Sequence, residues 1–143
     1  MSAAAMLTCL GIDIIEVERL RRAIARWPRL GRRLFTERER AYCERRADPA
    51  PHYAARFAAK EAMAKALGRW LRWQEVEVVT DPRGRPGLAL RGEAAELAHT
   101  GEGVRLLVSL SHTREYAIAC VCLVVPQETE GPAENLFPPG VWA

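Results

Sequence analysis

Two kinds of apolar patterning run along the chain, and together they predict its elements. "MLTCLGIDII" (6–15) is a nearly continuous apolar run, read as a buried strand that ends near Asp13. From Glu16 the period changes: Val17, Leu20, Ile24 and Trp27 recur at helical spacing until Pro28 stops them. "TERERAYCERR" opens on Thr36 with Glu39 three residues later, a capping box for a second helix. "DPAP" breaks the chain, and an alanine-rich helix follows as far as Gly68, which is placed to cap it.

The second half reads mainly as strands. "EVEVVT" (75–80) alternates as a half-buried strand, "DPRGRPG" is dense in turn residues, and "LALR" returns as its partner. "GEAAELAHTG" is a short helix, and "VRLLVSLSH" and "YAIACVCLVV" are two further strands joined by "TRE". The expected fold is α+β, with three early helices packed on a mainly antiparallel sheet. Residues 1–125 form the expected domain, and 126–143, rich in Pro, Gly and Glu, a flexible tail.

Composition narrows the class. A chain of 143 residues, 49% hydrophobic and 27% charged, suits one soluble globular domain. No apolar run reaches the ~20 residues that span a bilayer. The N-terminus lacks the positive segment of a secretory signal, so a cytoplasmic protein is expected. The four cysteines, Cys9, Cys43, Cys120 and Cys122, have no disulfide or metal-knuckle spacing and read as reduced, packed thiols. Cys120 and Cys122, one residue apart on an expected strand, are assigned to opposite faces.

Charge adds a partner. Net charge is +3, yet residues 19–46 hold eleven arginines against three glutamates, a local +8. Such a block implies an anionic partner: nucleic acid, a membrane surface, a phosphorylated ligand or an acidic protein.

Three positions could carry chemistry. Asp13 puts a carboxylate into an apolar strand, where it must be paired, bound to a cation, at the exposed strand end, or the N-cap of the following helix. On the alanine-rich helix Phe57, Glu61 and Lys65 share one stripe, while Ala59, Met63, Ala66 and Leu67 form another toward the core. A Glu–Lys pair four apart is commonly a surface bridge of ~0.5 kcal/mol. However, Ala58, Ala59, Ala62 and Ala64 leave room for close approach to a sheet or ligand. Should Asp13 and Glu61 converge, two hard oxygen donors suit Mg²⁺ with substrate phosphates, toward which Arg56 and Lys65 would face. His112 stands at a strand end entering a turn, beside Ser109, Ser111 and Thr113. Neither GxSxG nor a P-loop occurs.

"GIDIIEVERL", "RFAAKEAMAKALG" and "SLSHTREYAIACV" resemble, in order, the three signatures of the holo-(acyl-carrier-protein) synthases, small 4′-phosphopantetheinyl transferases. "FTERER" and "DPRGRPGL" match connecting segments, so the resemblance covers about residues 7–125. It implies transfer of 4′-phosphopantetheine from coenzyme A to a serine of an apo acyl carrier protein, with release of adenosine 3′,5′-bisphosphate. It implies Mg²⁺ held by Asp13 and Glu61, with Glu61 and Lys65 as the catalytic pair. Arg45, Arg46, Arg56, Lys65, His112 and Thr113 would contact coenzyme A, and Gly84 and Pro86 would border its adenine. Arg19, Arg22 and Arg26 would face an acidic carrier protein. The family's homotrimer, with sites between subunits, is implied too. After Gly68 the family's glycine-rich loop is replaced by the shorter "RWLRWQ". Two alternatives stand beside this reading: the same chemistry on a polyketide or peptide-synthetase carrier, and a non-catalytic module that binds coenzyme A or the carrier. Nucleic-acid binding through the arginine block lacks a recognised module, and no membrane partner is expected.

Overall fold

The computed structural model describes residues 5–98 and 103–126. The first apolar run forms β1 (Ala5–Glu16), which continues through Asp13 for three more residues. Helix α1 (Val17–Arg26) follows directly, with Glu16 as N-cap residue and no side-chain cap. Asp13 is therefore no helix cap. Val17 and Leu20 are buried as expected, but Trp27 lies past the helix end and is 60% exposed. A five-residue helix, α2 (Leu30–Leu34), is too short to have shown a period in the sequence.

Helix α3 (Glu37–Glu44) opens on the expected capping box: the Glu39 backbone N–H donates to Thr36 Oγ1, and the Thr36 N–H donates to Glu39 Oε2. Helix α4 (Ala50–Leu67) begins inside the "DPAP" breaker, since a proline in the first turn forfeits no helical hydrogen bond. It ends at Gly68, whose left-handed φ of 63° closes the helix. A 3₁₀ turn (Trp73–Glu75) leads to β2 (Val76–Thr80), which pairs with β3 (Pro86–Leu90). Helix α5 (Gly92–Leu97), β4 (Arg105–His112) and β5 (Tyr116–Pro126) complete the fold. Pro126 closes β5, and the rest of the expected tail lies outside the described residues.

The strands form two antiparallel sheets rather than one: β1-β5-β4, and the β2-β3 hairpin. Helix α4 crosses the inner face of the larger sheet, where Ala117, Ala119, Val121 and Leu123 of β5 are buried. The approach is closest at Gly11, where a β-carbon would fall 1.8 Å from the Ala62 carbonyl oxygen and 2.8 Å from the Ala66 nitrogen. Only glycine fits there. Side chains on a strand alternate with period two, so Asp13 shares this inner face with Gly11. By the same rule Cys120 and Cys122 share the outer face, not opposite ones; on β1 they are paired with Ile12 and Leu10. That outer face carries Leu10, Ile12, Ile14, Leu107 and Ile118, all exposed.

One buried ion pair fastens the two halves. Lys60 Nζ lies 2.8 Å from Glu39 Oε2, and both side chains are fully buried. Lys60 also donates to the Trp73 and Val76 carbonyls, and Glu39 Oε1 accepts from the Val78 N–H. Every donor of the ammonium is thus used, the condition under which a buried pair is tolerable. It ties α3, α4 and β2 together.

Replacing Gly11 by alanine is expected to remove at least ~2 kcal/mol of stability, because backbone must shift to admit the methyl group. Urea unfolding measures this; an unchanged midpoint would contradict the close approach.

Candidate functional site

The close packing of β1 on α4 determines what Asp13 meets. Lys65 Nζ donates to Asp13 Oδ1 at 2.7 Å and to the Ile12 carbonyl at 3.1 Å. The pair bridges strand and helix, not neighbours on one helix as Glu61 and Lys65 would have been. Lys65 is half exposed, so its attraction contributes about 1 kcal/mol or less. Asp13 Oδ2 is buried and has no hydrogen-bond partner.

Glu61 lies one helical turn from Lys65, half-buried. Its carboxyl is pushed above the ordinary value, first by burial and then by the Asp13 carboxylate, while Lys65 pulls it back. Asp13 and Glu61 line one cavity of about 510 Å³, together with Arg19 of α1 and the apolar side chains of Ile15, Leu34 and Phe57. The cavity lies between β1, α1, α2 and α4. Arg19, Arg22 and Arg26 follow one face of α1 opposite buried Val17 and Leu20. Arg22 is 80% exposed and bonded to Glu18, and Arg26 stacks on Trp27.

Among the described residues no three His, Cys, Asp or Glu side chains converge as a metal cage. Asp13 and Glu61 are nevertheless a fitting pair for Mg²⁺, which takes one or two carboxylates and completes its shell with phosphate and water oxygens. A buried carboxylate oxygen without a donor is what such a cation would satisfy.

The remaining predicted residues gather elsewhere. Arg56 sits five residues before Glu61, which turns it about 140° round the helix. It is buried and points at Tyr42, its guanidinium carbon 3.8 Å from the ring centroid. Arg46 lies 4.5 Å from the same centroid. A cavity of about 250 Å³ here is lined by Arg38, Tyr42, Arg45, Arg56, Val79 and Thr80. Thr80 pairs with Pro86 across the β2-β3 hairpin, whose turn holds Gly84 at φ 82°. His112 reaches the group through His52, ring centroids 5.1 Å apart. Thr113 starts the β4-β5 turn and accepts from the Glu115 and Tyr116 N–H groups. Within one chain, then, Asp13, Glu61 and Lys65 form one cluster and the arginines with His112 another, with no lining residue shared between their cavities.

Tyr42 and His52, which the structure brings into this cluster, were not among the residues expected from the sequence. Their signal was local: each precedes an arginine of the cluster, Arg46 or Arg56, by four residues on a helix-like spacing. "RWLRWQ" also has a structure of its own, with Trp70 against Trp73 and Trp73 against the cavity-wall Phe57.

Residues 9–121 match the model of the 4′-phosphopantetheinyl transferase superfamily. The holo-[acyl-carrier-protein] synthase of Syntrophotalea carbinolica is 50% identical over 120 residues, 80% of this chain and 94% of that one. This chain belongs to the holo-(acyl-carrier-protein) synthase family. The synthase of Moorella thermoacetica is also 50% identical, over 80% of this chain and 91% of its own. Two solved synthases of the family superpose on this fold. That of Bacillus anthracis, in complex with CoA (3′,5′-ADP), has 32% identity, a TM-score of 0.69, and covers 84% of this chain and 98% of its own. The ACPS–CoA complex of Chronobacterium ammoniagenes has 31% identity, a TM-score of 0.70, and covers 87% and 99%.

In this candidate site, Asp13→Asn is expected to bring the Glu61 carboxyl down toward its ordinary value. It removes a repelling charge and frees Lys65 for Glu61. Carbon-detected NMR titration of Glu61 checks this; an unmoved or rising midpoint would show that the two carboxylates do not interact.

Proposed function

We propose that this chain transfers the 4′-phosphopantetheine arm of coenzyme A to a serine of an apo acyl carrier protein, releasing adenosine 3′,5′-bisphosphate. The observation that carries the reading is the meeting of Asp13 and Glu61 on one cavity wall, with Asp13 Oδ2 buried and unpartnered, in a chain of this family. Residues 1–125 are the transferase domain. Asp13 and Glu61 hold Mg²⁺, which, when bound, neutralises charge on the coenzyme A pyrophosphate.

The chain's own groups do the rest. Lys65, half exposed beside Asp13, adds positive charge for the phosphates. The serine oxygen bonds to phosphorus as the pyrophosphate P–O bond breaks, its electrons leaving with the bisphosphate. Glu61 accepts the serine proton directly or through water. Arg45, Arg46, Arg56, His112 and Thr113 take the nucleotide end, and Gly84 and Pro86 border its adenine.

Because these nucleotide contacts and the carboxylates are separate within one chain, we assign the complete site to neighbouring copies in a homotrimer. The exposed apolar face of Leu10, Ile12, Ile14 and Ile118 supports contact between copies. Arg19, which lines the carboxylate cavity, and Arg22 and Arg26 beyond it present positive charge to an acidic carrier. No helix among the described residues is long and apolar enough to cross a membrane, and the thiols of Cys43, Cys120 and Cys122 support a reducing, cytoplasmic setting.

Incubated with coenzyme A, Mg²⁺ and a panel of apo carriers, the protein should add one phosphopantetheine to a carrier, read by mass spectrometry. No addition across fatty-acid, polyketide and peptide-synthetase carriers would reject the enzyme reading. Glu61→Gln should lower kcat by roughly 10²-fold or more with the fold intact. Arg22→Glu should raise KM for the carrier roughly tenfold while KM for coenzyme A holds; equal rises would contradict docking on α1.

A further inference from the structure

The nucleotide cluster contains two side chains without a role so far, Tyr42 and His52. Arg46 and Arg56 both stack on the Tyr42 ring. Such stacking orients a guanidinium without using its N–H donors, which stay available to an anion. Arg56 is 4% exposed, and its Nε is buried with no partner. Its one side-chain bond is a long 3.4 Å contact from a terminal nitrogen to the His52 carbonyl. Among the described residues no carboxylate pairs with Arg45, Arg46 or Arg56. A desolvated guanidinium with its Nε unpartnered and no carboxylate beside it calls for a multiply charged anion.

His52 stands at the edge of this group. Its ring is 5.1 Å from His112 of β4 and 6.1 Å from Tyr42 of α3. The charged groups around it are Arg46 and Asp48 before α4, Arg56 one turn on, and His112. Burial first, then His112, Arg46 and Arg56 push its imidazole below the ordinary value. Asp48 alone pulls upward, and it is already committed to Arg21 through two bonds of 2.8 and 2.9 Å. In the free protein this environment favours the neutral imidazole. An arriving phosphate would reverse the field that keeps it so.

We propose that His52 is a specificity-determining residue for a terminal phosphate monoester on the nucleotide, meeting that phosphate as an imidazolium, with Tyr42 as the positioning residue for Arg46 and Arg56. The inference rests on the coenzyme A reading and adds the 3′-phosphate as the group discriminated. The imidazolium proton comes from solvent. Binding therefore takes up a proton, and affinity falls as pH rises between the depressed free value and the raised bound one. The phosphate monoester has its own ionisation near pH ~6 and would by itself release protons on binding to arginines, the opposite sign.

Calorimetry of the full chain with coenzyme A and with 3′-dephospho-coenzyme A, without carrier, in two buffers of different ionisation enthalpy, measures this. The wild-type protein should take up more protons with coenzyme A than with the dephospho form. His52→Asn and His52→Gln should remove that excess uptake, leaving coenzyme A to release at least as many protons as the dephospho form, and reduce the preference for coenzyme A roughly tenfold. Tyr42→Leu should reduce the preference while keeping proton uptake, and Tyr42→Phe should restore it. Wild-type preference and proton count in both folded His52 variants would overturn the proposal. Failure of the wild-type protein to bind coenzyme A would instead refute the coenzyme A reading, and this assignment with it.

Discussion

At Gly11 the backbone of β1 rests on the backbone of α4, with no side chain between them. Ala58, Ala59, Ala62 and Ala66 give the helix a surface flat enough to permit this, and all four are buried. Two residues along the strand, on the same face, the Asp13 carboxylate meets the end of the Lys65 side chain and lies near Glu61. A bulkier contact at Gly11 or Ala62 would lift the strand away and separate the carboxylates. Packing and chemistry are linked here by one spacing.

The buried charges divide into two kinds. Glu39 and Lys60 are enclosed and fully bonded, to each other and to backbone groups of Thr36, Trp73, Val76 and Val78. Glu77 is likewise buried and held by Arg91 and Arg38. These are structural: their bonds are internal and complete. Asp13 Oδ2 and Arg56 Nε are buried without partners, and each belongs to a cluster of site residues. Arg40 Nε, the third such atom, belongs to neither cluster. Incomplete bonding marks a buried atom in each candidate cluster, though Arg40 shows that it is not confined to them.

The sequence made some of this legible and hid the rest for identifiable reasons. The capping box at Thr36 and the glycine cap at Gly68 are local signals, and both were read correctly. Helix α2 was missed because five residues show no period, and β1 outran its apolar pattern because Glu16 still pairs with Tyr116. Lys60 looked like one more charge on an alanine helix. Nothing local reveals that Glu39, twenty-one residues earlier, waits to pair with it. Asp13 was recognised as anomalous in its strand, but its pairing with Lys65 needed the fold. Arg56 was expected to join Glu61 on one side of the helix, whereas 1.4 turns carry it to Tyr42. The motifs thus named candidate site residues without showing that a single chain keeps them in two places.

That separation makes the account testable at its centre. If each site takes Asp13, Glu61 and Lys65 from one copy and the arginine–histidine cluster from its neighbour, two inactive variants must complement. One carries Glu61→Gln; the other carries Arg46→Ala and His112→Ala, both at exposed positions. Co-assembled in equal amounts, they should restore up to about a quarter of wild-type transferase activity, since that share of neighbour pairs keeps both halves intact. Mixed assemblies as inactive as either parent would contradict a site shared between copies.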